Sequence, residues 1–150
     1  MWLDAALAYL HFGAIFTLFA FLVTQAILLK GPLDQRVVRL LGRTDLWYAG
    51  SAVAVLATGF LRAGLGAKGG DFYFGAWPIY VKIAMFLTVG IISIYPTLAF
   101  IRWRRAYDHD PAWQLPAAEQ ARMRRLVMIE VHIASLIPVF AVIMARGLGR

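Results

Sequence analysis

Four long apolar stretches, almost free of charge, leave this sequence few folds. The first, Ala5 to Leu29, holds no formal charge apart from any on His11. Its roughly 25 residues suffice to cross a bilayer with some tilt. The apolar part of a secretory signal is only about 7–15 residues, so this stretch reads as a retained helix. The second, Leu46 to Leu61, is shorter and bracketed by Asp45 and Arg62. It reaches spanning length if Arg62 snorkels towards the headgroups. The third runs from about Pro78 to Ile101, interrupted by Lys82 alone, and the fourth from Leu126 to Ala145, interrupted by Glu130 alone. The fourth helix is expected to begin earlier, as an interfacial segment with Pro116 at its first position and Glu119 in its first turn.

Composition agrees. The 150 residues are 61% hydrophobic and 15% charged, with a mean hydropathy of +0.69, whereas a soluble domain is usually about a quarter charged. The expected fold is therefore all-α: an integral membrane four-helix bundle with antiparallel neighbours, one domain over 1–150, with helices at about 5–29, 45–63, 78–103 and 117–146. Lys30-Gly31-Pro32 ends the first helix, and Thr44 or Asp45 can cap the second. Gly64, Gly66, Gly69 and Gly70 break the chain after it, Trp77-Pro78 opens the third, and Asp110-Pro111 interrupts the loop before the fourth. There is no cysteine, which excludes disulfides, thiolate zinc sites and iron–sulfur clusters.

A net charge of +7 would suggest nucleic acid in a soluble protein. Here the basic residues lie between apolar runs and read as topology signals, so no nucleic-acid partner is expected. Ten lie in the first and third connections (Lys30, Arg36, Arg39, Arg43, Arg102, Arg104, Arg105, Arg122, Arg124, Arg125) and five on the other side (Arg62, Lys68, Lys82, Arg146, Arg150). The excess puts both basic connections in the cytoplasm, with N and C termini outside. Trp2, Tyr73, Trp77 and Tyr80 would form the outer aromatic belt, and Trp47, Tyr48, Trp103 and Tyr107 the inner one. On the second helix Gly50, Ala54, Ala57 and Leu61 share a face on which another helix can approach closely.

Ionisable groups in hydrocarbon are costly, and each calls for a reason. They fall into two layers. The outer one contains His11, Arg62, Lys82 and Arg146, with Thr58 and Met144 at similar depth. His11 lies roughly 9 Å and Lys82 about 6 Å along their helices from the same boundary. Four basic groups in one leaflet repel unless an anion lies among them. Porphyrin propionates or another amphiphilic carboxylate would suit that field; snorkelling of each long side chain is the plainer account. The inner layer contains Gln25, Asp45, Tyr95, Glu130 and His132. An ion pair with a cytoplasmic arginine such as Arg39, Arg43 or Arg102 is the expected state of Glu130. Met128 and His132 share a helix face, but neighbours on one helix cannot grip both faces of a porphyrin. His11 and His132 differ by roughly 12 Å in depth in a core of about 30 Å, which disfavours bis-histidine ligation. Asp108-His109-Asp110 has metal-binding residue types at poor chelating positions. No phosphate-cradling loop, nucleophile elbow, zincin motif or dinucleotide fingerprint is present.

Several local motifs carry a family resemblance. They are Tyr9-Leu10-His11, Arg43-Thr44-Asp45-Leu46-Trp47-Tyr48, Gly59-Phe60-Leu61-Arg62, Lys82, Tyr95-Pro96-Thr97, Arg102-Trp103-Arg104, Ile137-Pro138 and Met144-Ala145-Arg146-Gly147. Together they resemble a family of small bacterial four-helix membrane proteins to which no activity is attached. More distantly, the pattern is similar to the HemJ-type membrane protoporphyrinogen oxidases and to copper-resistance (CopD-like) membrane domains. In those oxidases a histidine early in helix one and a lysine early in helix three are key residues and haem b is bound. His11 and Lys82 stand at matching positions, though the motifs around them differ. The resemblance implies a multi-pass protein of the bacterial inner (cytoplasmic) membrane.

Three functions follow as expectations. One is a haem b or porphyrin protein, cytochrome b-like or an oxidase, with His11 as iron ligand and Lys82, Arg62 and Arg146 around the carboxylates, Glu130, His132 and Met144 being secondary candidates. Another is a transporter or binder of a small anion, metal or lipid, working as a homo-oligomer. The third is a structural or assembly subunit whose small-residue faces meet partners in a membrane complex.

Overall fold

The computed structural model describes residues 2–65 and 70–148, without the side chains of Asp71 and Tyr73. Gly66, Lys68, Gly69, Arg150 and the Tyr73 side chain, invoked above, lie outside the described residues. The helices are α1 (Trp2–Leu28), α2 (Gln35–Leu65), a short α3 (Gly70–Phe74), α4 (Pro78–His109) and α5 (Ala117–Ala145). The four long helices are each long and apolar enough to cross a membrane, and among the described residues there is no strand. The fold is an all-α four-helix membrane bundle. α1 packs along α2 and α4 along α5, and α2–α4 and α1–α5 contacts close the ring. Each helix therefore lies beside an antiparallel neighbour. The start of α1 and the end of α5 fall at one end of the bundle, and the two arginine-rich connections at the other.

α2 and α4 exceed the apolar stretches that mark them. α2 has 31 residues and α4 has 32, each about 45 Å or more at 1.5 Å per residue, against a hydrocarbon core of about 30 Å. The surplus is polar and lies at the connection end. α2 starts ten residues before the expected position because Asp34 caps it: the Val37 amide donates to Asp34 Oδ1 at 2.8 Å, satisfying one of the unpaired first-turn donors. Thr44 and Asp45 are thus inside the helix, and neither is its cap. Arg39 reaches Asp108 at 2.8 Å, and Gln35 donates to the Tyr107 carbonyl at 3.3 Å. These contacts bind the α2 and α4 overhangs together. The first connection is held down by the Tyr107 hydroxyl on the Leu33 carbonyl, 2.7 Å, and by Gln120 on Leu29 and Gly31. The α5 side is tied by Trp103 Nε1 donating to Glu119 at 2.9 Å and by the Arg102–Glu119 ion pair.

Packing is uneven along the bundle axis. Leu22, Val38, Leu41, Phe100, Trp103 and Val127 are all fully buried, and they fill the connection half. In the terminal half burial is sparser, with Leu7, Ala63, Pro78, Val89 and Met144 the principal buried residues. Tyr48, Trp103 and Tyr107 belong to the core, so the inner belt expected from them does not form; Trp47, exposed, retains that character. At the terminal end Trp2, Trp77 and Tyr80 are exposed as a belt requires. Gly50, Ala57 and Leu61 also face outwards, and a Cβ on Gly50 would meet nothing within 4 Å. Apart from the half-buried Ala54, the small-residue face of α2 does not pack against the described residues.

Candidate functional site

In the terminal half, His11 is one turn past the buried Leu7 and turns to the same side of α1, towards α2. Its Nδ1 lies 2.9 Å from Thr58 Oγ1. The Thr58 hydroxyl donates to the Ala54 carbonyl at 2.6 Å, so its only proton is committed and the imidazole supplies the other. Nδ1–H is then the donor and the lone pair sits on Nε2. A second hydrogen bond fixing the tautomer in this way is what orients a ligating or proton-accepting histidine. Gly59 allows this close seating: a Cβ there would stand 3.2 Å from His11 Cε1.

Arg62, one turn beyond Thr58, lies with Cζ 5.6 Å from the centre of the Phe12 ring, a cation–π distance. It is half-buried, and its Nε is sealed from solvent with no hydrogen-bond partner. Buried donors are normally paired, so this one asks for an acceptor. Lys82 enters from α4 and is half-buried too. Arg62 and Lys82 are both close enough for their charges to act on His11, and Arg62 acts on Lys82. Among the described residues no carboxylate pairs with Arg62 or Lys82; the ion pairs are Arg39–Asp108, Arg102–Glu119 and Arg104–Asp108. Three helices thus bring an imidazole and two cations within reach of one another's charge, with no neutralising carboxylate among the described residues. A shallow apolar groove of about 400 Å³ runs along the outward face of α1, lined by Tyr9, Leu10, Phe12, Gly13, Ala14 and Phe16; His11, Arg62 and Lys82 do not line it, and Phe12, over which Arg62 lies, is its one link to them.

A second polar centre lies in the connection half. Gln25 Nε2 and Thr97 Oγ1 donate to the same oxygen of Asp45, at 3.3 Å and 3.1 Å. The Tyr48 hydroxyl donates to Glu130 Oε2 at 3.2 Å, across the middle of the bundle from α2 to α5. Glu130 is 1% exposed and Asp45 7%.

The sequence matches the family described as "Predicted membrane protein (DUF2214)" over residues 3–149. The chain belongs to that family. No curated protein and no solved structure matches it.

In this family member the residues expected at one depth divide into those that meet and those that do not. His11, Arg62 and Lys82 fall within reach of one another's charge. Arg146 is exposed, and no hydrogen bond or ion pair joins its side chain to a described residue. Met144 is buried at the end of α5. Glu130 makes no ion pair, contrary to expectation: its partner is Tyr48, while Arg39 and Arg102 turn to carboxylates at the surface. His132 is exposed, and its Nδ1 is bonded to the Met128 carbonyl of its own helix at 2.6 Å. It therefore lies away from both centres. Tyr95, grouped with the inner layer above, is 57% exposed. Asp108 is held by Arg39 and Gln35, and no group of three or more metal-ligating side chains occurs among the described residues. Tyr48 and Thr97 are site residues that the sequence does not mark as such. Tyr48 is three positions after Asp45 on one helix, a spacing that shares a face, and that is the signal that could have found it.

Proposed function

We propose that this membrane protein holds an amphiphilic carboxylate of the porphyrin class, with haem b as the occupant its residues suit. The observation that carries the reading is the grouping of His11, Arg62 and Lys82 with no anionic partner among the described residues, Arg62 Nε being sealed and unpaired there. The donor set fits such a group. His11 Nε2 offers one neutral imidazole ligand to iron, Arg62 and Lys82 offer cations to propionates, and the Phe12 ring beside Arg62 offers apolar surface to a flat ring. Bound iron would supply one-electron chemistry, tuned by its axial ligand and by nearby charge. Thr58 fixes the imidazole, and the two cations hold the carboxylates near the surface of the bilayer. With the arginine-rich connections in the cytoplasm, this site lies in the outer leaflet of a bacterial inner membrane.

The test is the absorption spectrum of purified protein after haem supplementation. A Soret band that disappears or shifts in His11→Ala is expected. Wild-type protein that stays colourless removes the haem reading. A second occupant, an anionic lipid headgroup, is favoured by the exposed apolar groove, whose lining suits an acyl chain. Anionic lipid retained through purification by wild type and lost in Arg62→Gln would support it over a porphyrin.

A further inference from the structure

The buried carboxyl centre in the connection half plays no part in that reading, and its chemistry is different. Glu130 receives one hydrogen bond, from Tyr48 to Oε2. Its other oxygen, Oε1, is sealed from solvent and has no partner. Asp45 lies close enough for its charge to act on Glu130. The groups facing the pair are Gln25 from α1, Tyr48 from α2, and Ser93 and Thr97 from α4. None is cationic. His132, on the same helix as Glu130, is exposed and bonded to its own backbone. The arginines nearest the connection end are exposed, Arg39 and Arg102 on other carboxylates. Two carboxyl groups in a low-dielectric interior, with no protein cation beside them, need a positive charge from elsewhere.

We propose that Glu130 and Asp45 form a binding site for one small monovalent cation, with Glu130 Oε1 as the atom that takes it. The two carboxyls are unequally prepared for that task. Asp45 Oδ1 accepts from both Gln25 and Thr97, as an anion does, whereas Glu130 keeps an oxygen in reserve. Asp45 is already met by two neutral donors, so one carboxylate charge, that of Glu130, is left to be balanced, and a divalent ion would exceed it. A single charge, delivered as a proton or as a sodium ion, is what Oε1 can accept. The Tyr48 hydroxyl ties this carboxyl to α2 across the bundle, so loading the site also governs a contact between facing helices.

The test is the infrared spectrum of the protein reconstituted in liposomes, switched first between acidic and alkaline buffer and then between N-methylglucamine and sodium at fixed pH. A carboxyl band that responds to one of the switches, vanishes in Glu130→Gln and persists in the surface control Glu119→Gln is expected. A response to pH alone identifies the proton, and a response to sodium at fixed pH identifies the alkali ion. No responsive band that Glu130→Gln removes overturns the proposal. A second measurement needs no variant: wild type is treated with a hydrophobic carbodiimide and the adduct mapped by mass spectrometry. Labelling of Glu130 that changes several-fold with the same switch supports the site. Unlabelled Glu130, or labelling indifferent to both switches, overturns it.

Discussion

Thr58 decides what His11 can do. Because the threonine proton is bound to Ala54, the imidazole must present Nδ1–H to α2 and keep Nε2 for a ligand. Thr58→Val keeps the shape but removes the acceptor. It is expected to cost about 1 kcal/mol of stability and to weaken haem binding roughly tenfold, read by unfolding in detergent and by haem titration; Thr58→Ser should restore both. At the second centre, Tyr48→Phe leaves Glu130 with neither oxygen paired and is expected to destabilise by roughly 1–3 kcal/mol. Adding Glu130→Leu to Tyr48→Phe should cost less than the two single changes combined; simple additivity in unfolding experiments would contradict the bond. The sequence makes His11, Lys82 and Glu130 conspicuous, since an ionisable residue in an apolar run stands out. It does not reveal partners such as Tyr48 and Thr97, whose residue types are unremarkable in a membrane helix and whose role comes from helix packing.

Helix ends show where hydropathy stops being informative. The apolar run of α2 begins at Leu46, yet the helix begins at Gln35 under the Asp34 cap. Apolar runs mark what lies in lipid, and the overhang into water is marked by caps and by ion pairs between helices. Asp34→Ala is expected to remove about 1 kcal/mol and to fray the first turns of α2, read as faster amide exchange there. The Asp108 and Tyr107 contacts should weaken with it, because they hold the same turns. The expected end of α4 near residue 103 falls short of the observed His109 for the same reason. Its last turns are charged, and they are stabilised by packing against α2. The inner aromatic belt also fails at this scale: Trp103 and Tyr107 find acceptors on Glu119 and Leu33, so they sit inside the protein and not in the headgroup layer.

The four-helix architecture was legible in the sequence because hydrocarbon thickness sets the length of each apolar run. The uneven packing was not, since apolar composition alone does not separate side chains facing lipid from those facing neighbours. Orientation rests on the excess of arginine and lysine in two connections. The chain has no cysteine, so single cysteines report it cleanly. In intact cells, Leu148→Cys should react with a membrane-impermeant maleimide, and Asp110→Cys should react only after permeabilisation. The reverse pattern would invert the bundle and move the His11 site to the inner leaflet.

On the proposed function, Arg62 and Lys82 meet the carboxylates of one bound amphiphile. An iron-free porphyrin diacid and its dimethyl ester differ only in those carboxylates. Fluorescence titration of both against purified protein is therefore the most direct measurement. Wild type should prefer the diacid by about tenfold or more, since a hydrogen bond to a charged group contributes roughly 1.5–3 kcal/mol. Arg62→Gln with Lys82→Gln should abolish the preference. Equal binding of diacid and diester by wild type would rule out carboxylate recognition at Arg62 and Lys82.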